Sequence, residues 1–168
     1  MNTPPLMRVA VSVVVERRAA TSPWIDHVWR PIGVLAGVPE VAPWTPVPGA
    51  SGADTFYVGA AQVELYRSET TNYRDNLAHE RPSLWVVLRP TGGDPPFSVV
   101  TVTADPAEGE AFTETATDLV EAVPMPQPII EAVAAFVAEH HVERTFEKRK
   151  RDRANPEALG RRRSEEGR

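Results

Sequence analysis

The sequence predicts a mainly β, α+β fold: an antiparallel sandwich or open barrel of about six strands, with a short central helix and a C-terminal helix. Three observations carry this expectation. Val9, Val11, Val13 and Val15 alternate with Ala10, Ser12, Val14 and Glu16, the period of a strand buried on one face. Further short apolar runs recur between proline and glycine punctuation, and 17 prolines in 168 residues oppose a bundle of long helices. Only two stretches have helical spacing, and they do not alternate with strands, which disfavours a parallel Rossmann-type sheet.

The first strand is broken by Ala20-Thr21-Ser22-Pro23, because the residue before proline is pushed out of the helical region. Trp29–Leu35 reads as a second strand, with Pro31 near an edge since it cannot donate to a ladder. Between Gly37 and Gly52, prolines and glycines leave room for at most one short strand at Trp44. Thr55–Tyr66 is the next strand, and Gly59 in its middle marks a bulge or a close backbone approach. Leu84–Leu88 and Phe97–Thr103 are joined by Pro90–Pro96, a hairpin loop somewhat longer than usual. Leu119–Val123 is a last short strand.

Glu69–Glu80 is read as the central helix, with Tyr73 and Leu77 at i,i+4 and Arg81-Pro82 ending it. Pro128–Val142 is read as the terminal helix. Its Ile129, Val133, Phe136, Val137 and His140 share a face, and Pro128 suits a first turn. This helix is expected to cover an edge or open end of the sheet.

Charge divides the chain. Residues 1–146 hold nine basic and 18 acidic side chains, whereas nine basic residues lie between Lys148 and Arg168, both lysines included. The expectation is one globular domain over 1–146 and a disordered basic tail over 147–168. An acidic body repels phosphates, so nucleic acid is an unfavoured partner. The absence of cysteine excludes disulfides, zinc-thiolate and iron–sulfur sites and cysteine nucleophiles. With no apolar run of 18 residues and no signal-peptide order at the start, a soluble cytoplasmic protein is expected.

Chemical motifs are sparse. His27, His79, His140 and His141 lack metal-binding spacing, and the adjacent pair points to different helix faces. There is no Gly-x-Ser-x-Gly elbow, and Gly92-Gly93 suits a turn better than a phosphate cradle. No catalytic residue, metal or cofactor is assigned. The informative residues are Trp29 and Arg30 in one segment and Arg67, Tyr73, Asn76 and Arg81 in another, with Trp24 and His27 beside the first. Tryptophan beside arginine suits a partner- or ligand-binding patch, where a ring packs and a guanidinium grips a carboxylate. Tryptophans that cap the core and arginines that neutralise the acidic body explain the same composition, and at this level explain it somewhat better.

Those segments also carry a resemblance. Asp26-His27-Val28-Trp29-Arg30-Pro31, Leu65–Thr70, Tyr73–Leu77, Arg81-Pro82-Ser83, Trp85–Arg89, Val123-Pro124-Met125-Pro126 and His140–Arg151 resemble an uncharacterised proteobacterial family over roughly residues 9–151. This domain of unknown function is commonly encoded beside formate dehydrogenase and molybdenum-cofactor maturation genes. The resemblance implies context, with no catalytic residues to transfer. Some relatives are described as molybdopterin guanine dinucleotide synthesis proteins. That chemistry needs a glycine-rich loop after the first strand, and Val15–Ala20 contains no glycine. The expectation is therefore a non-catalytic accessory factor for a molybdenum- or tungsten-dependent formate dehydrogenase, whose partners are that enzyme's subunits or its maturation proteins. The alternative is a small-molecule module that binds an anionic ligand such as a pterin phosphate or formate.

Overall fold

Val11, Val13 and Val15 lie fully inside the protein, on the central strand of a four-stranded sheet. The computed structural model describes residues 3–49 and 53–142. The expected tail at 147–168 lies outside them. The strands are β1 (Met7–Ala19), β2 (His27–Ala36), β3 (Thr45–Val47), β4 (Asp54–Leu65), β5 (Ser83–Pro90), β6 (Phe97–Thr103) and β7 (Leu119–Pro124). The helices are α1 (Thr70–Ala78), α2 (Pro106–Thr113) and α3 (Gln127–His140).

One antiparallel sheet runs β2-β1-β4-β3 and the other β6-β5-β7. Contacts between β4 and β6, and between β2 and β7, bring the two sheets together along both sides. The result is a sandwich, as the strand pattern implies, rather than a closed barrel. Between the sheets lie Val11, Val13, Val15, Val34, Val63 and Leu65 from one and Leu84, Val86, Leu88, Val102 and Val123 from the other. At about 1.5–3 kcal/mol for each fully buried aliphatic side chain, this layer drives folding.

Two sequence signals land where the backbone needs them. Pro31 sits on the edge strand β2, beside a register shift at Val14/Val15. Gly59 sits at φ 156° beside the β1–β4 bulge, where Val13 pairs with Gly59 and Val14 with Tyr57.

The central helix is shorter than its sequence range. A 3-10 turn at Arg67–Glu69 precedes α1, which stops at Ala78. The terminal helix α3 buries Ile129, Val133, Phe136 and Val137, the expected face, and packs against α1 and β1.

Helix α2 is an addition to the expected elements. Its start is well marked: Asp105 caps it by accepting from the Ala107 amide at 2.9 Å, and Pro106 occupies the first turn. Gly109 explains its weak apolar signal. A Cβ there would stand 2.2 Å from Trp85 Cγ, so the missing side chain lets α2 lie directly on the Trp85 ring.

Candidate functional site

The first candidate segment lies where β1 and β2 end together. Trp29 pairs with Arg17 in the register, and its ring packs inward against Trp44, Phe56 and Phe97 at centroid distances of 5.6, 5.9 and 6.0 Å. The Arg17 guanidinium lies over Trp29 and Phe56, 5.6 and 5.1 Å from their centroids, and donates to Asp54 at 2.8 Å. Trp44 has φ 70°, a strained backbone for a bulky residue, and meets Trp29 edge-on. Trp29 therefore closes this end of the core, and its own protein already occupies its faces.

Two residues expected on the binding patch are interior. Tyr73 is 1% exposed, its hydroxyl accepts from the Tyr66 amide at 3.0 Å, and its ring meets Phe136. Burial pushes the Tyr73 hydroxyl well above the usual phenol range. Asn76 is 2% exposed and spends its side chain on the backbone. It donates to the Ser83 and Ala104 carbonyls at 2.8 and 2.9 Å and accepts from the Ser83 amide at 3.0 Å. The correction is physical: α1 packs on α3, Tyr73 meets Phe136 there, Asn76 is spent on Ser83 and Ala104, and neither offers a free polar group to a partner.

The arginines behave differently. Arg8, Arg17, Arg18 and Arg89 are ion-paired with Glu64, Asp54, Glu16 and Asp118. Among the described residues, Arg30, Arg67 and Arg81 are exposed and make no such pair. Nor do they form one patch. Trp29 and Arg30 lie opposite Arg17 and Glu16, whereas Leu65, two residues before Arg67, lies opposite Met7. The ten residues of β1 from Met7 to Glu16 span about 30 Å. Arg67 and Arg81 instead flank α1.

Two further features could not be read from the chain. Near the first turn of α2, Glu108 accepts from Thr103 at 2.9 Å. Partial desolvation, then the charges of Asp105, Glu64 and Glu69, push its carboxyl up. At the Met7 end, Leu6, Met7, Ala132, Ala135, Phe136, Glu139 and His140 line an open groove of about 420 Å³. Among the described residues, no arginine lines it. His141, at the end of α3, ties it to α1: Nδ1 contacts Thr70 Oγ1 and Nε2 contacts an Arg74 nitrogen, each at 3.1 Å. No metal-binding cluster of histidine and carboxylate side chains occurs among the described residues.

A family model described as "Protein of unknown function (DUF3305)" matches residues 10–150. The chain belongs to the DUF3305 family. The DUF3305 span takes in all six candidate residues and every strand and helix, with only the first three residues of β1 before it. No curated protein and no solved structure matches the chain.

Proposed function

We propose that this DUF3305 protein is a non-catalytic accessory factor, a β-sandwich scaffold that binds a partner protein. The gene context of the family it resembles makes a molybdenum- or tungsten-dependent formate dehydrogenase, or one of its maturation proteins, the partner. One observation carries the binding half of this reading: among the described residues, Arg30, Arg67 and Arg81 are exposed and form no salt bridge, while four other arginines are held by carboxylates. In a body rich in acidic residues, a guanidinium left without a carboxylate is available to grip one from outside.

The anionic-ligand alternative needs arginines converging on a concave site. Arg30 lies about 30 Å along the sheet from Arg67, and among the described residues no arginine lines the groove near α3. The arrangement favours a broad protein surface over a pocket for pterin phosphate or formate.

Affinity purification of the tagged full chain from cells that express the neighbouring dehydrogenase tests this. The dehydrogenase or its maturation proteins should co-elute, with molybdenum or tungsten and pterin in the eluate. An eluate free of all of them, from cells with active dehydrogenase, contradicts the assignment.

A further inference from the structure

The connection between β1 and β2 carries the most exposed large apolar side chain among the described residues, Trp24, with Ile25 next to it and Val28 just inside β2. Trp24 is 91% exposed, and Ile25 and Val28 are more than half exposed. The loop beneath them is tied. The Ala20 amide donates to the Asp26 carbonyl at 3.1 Å, the Trp24 amide to Ser22 Oγ at 3.3 Å, and Pro23 restricts the backbone before Trp24. A constrained tip loses little freedom when it docks.

Val28 and Arg30 are two residues apart on one face of β2 and lie opposite Arg18 and Glu16. Glu16 is already bound by Arg18, which with Arg30 holds its carboxyl below the usual range. Arg18 and Arg30 thus share the one carboxylate of Glu16, with Arg18 holding it, which leaves positive charge in excess of Glu16 beside the apolar tip. Its complement is a carboxylate at the edge of an apolar pocket.

We infer that the 20–30 tip is a docking element that inserts Trp24 and Ile25 into an apolar pocket of a partner protein while Arg30 pairs with a carboxylate on the pocket rim. The inference rests on the scaffold reading above and names its contact. An anionic membrane is the poorer occupant, because residues 1–146 carry twice as many acidic as basic side chains.

The test places photo-crosslinking p-benzoylphenylalanine at position 24 of the full chain in dehydrogenase-expressing cells. In parallel, it measures dehydrogenase co-purification for Trp24→Ser, Ile25→Ser, Arg30→Glu and Arg30→Lys. A crosslink to an apolar, carboxylate-bordered segment of the dehydrogenase or a maturation protein is expected. Trp24→Ser should cut co-purification about tenfold or more with unchanged melting, as for an anchor residue. Arg30→Glu should also weaken it, with Arg30→Lys intermediate. Full co-purification by Trp24→Ser overturns the docking tip and leaves the scaffold reading standing. A crosslink to another identified protein, lost in Ile25→Ser and Arg30→Glu, upholds the tip and removes the dehydrogenase assignment. No crosslink overturns the tip. So does Trp24-dependent sedimentation with vesicles of equal parts phosphatidylserine and phosphatidylcholine, or Trp24-dependent dimerisation of the purified chain.

Discussion

Arg17 and Trp29 face each other across β1 and β2, with the guanidinium 5.6 Å from the ring centroid and its other end on Asp54. The pair seals one end of the sandwich, so Trp29 should behave as a core residue. Trp29→Ala is expected to cost about 2–3 kcal/mol, somewhat below the range for a fully buried ring. A double-mutant cycle with Arg17→Ala should return a coupling of about 0.5–1 kcal/mol. Chemical denaturation of the four proteins measures both. A Trp29→Ala protein as stable as wild type would return this ring to the surface.

Asn76 joins α1 to the start of β5 and the end of β6 through three backbone hydrogen bonds. Asn76→Ala leaves two carbonyls and one amide without their partner. It is expected to cost about 2–4 kcal/mol, since each buried unsatisfied group costs about 1–3. Arg81→Ala, five residues on and exposed, should stay within about 0.5 kcal/mol. Comparable losses in the two variants would contradict the separation drawn between scaffold and surface.

Gly109 permits the contact between α2 and Trp85. Gly109→Ala should lower stability by about 1–3 kcal/mol, as overpacking does, because Trp85 or the helix must move. Gly93→Ala is the control: its Cβ meets open space in the β5–β6 loop, so the melting temperature should hardly change.

Glu108 supplies a pH signature. Its folded-state carboxyl is pushed above its usual value of 4.5, first by desolvation and then by Asp105 and its other acidic neighbours. Such a group favours folding below the unfolded value, where it is protonated in both states. That contribution is lost as pH rises through the raised folded value. Glu108→Gln still accepts from Thr103 and should raise the melting temperature at neutral pH. The gain should vanish below about pH 4. Equal gains at both ends of the range would rule out ionisation as the cause.

The legible parts of the fold are those written in periodicity. The β1 valines, the α3 face and the prolines and glycines that end elements each act within a few residues of their own position. Helix α2 escapes because eight residues with Gly109 in the middle have almost no apolar face, though Asp105-Pro106 spells its start. The site was legible by residue type and illegible by place. Trp29, Arg30, Arg67, Tyr73, Asn76 and Arg81 look alike as candidates until sheet register sends them to opposite ends. What separates buried Tyr73 and Asn76 from exposed Arg67 and Arg81 is tertiary packing of α1, which no local spacing reveals. Trp44, with its positive φ, likewise meets a ring fifteen positions away in the chain, that of Trp29.

The central claim, a scaffold that works through surface arginines that form no salt bridge among the described residues, is tested most directly by complementation. Cells lacking the protein would receive wild type or the triple variant Arg30→Ala, Arg67→Ala, Arg81→Ala. Formate dehydrogenase activity would be measured against the level of each protein, alongside the melting temperature of the purified chains. Unchanged melting with dehydrogenase activity well below wild type is expected. Wild-type activity from the triple variant, or a fall in activity that only follows lost stability and protein level, would contradict the account.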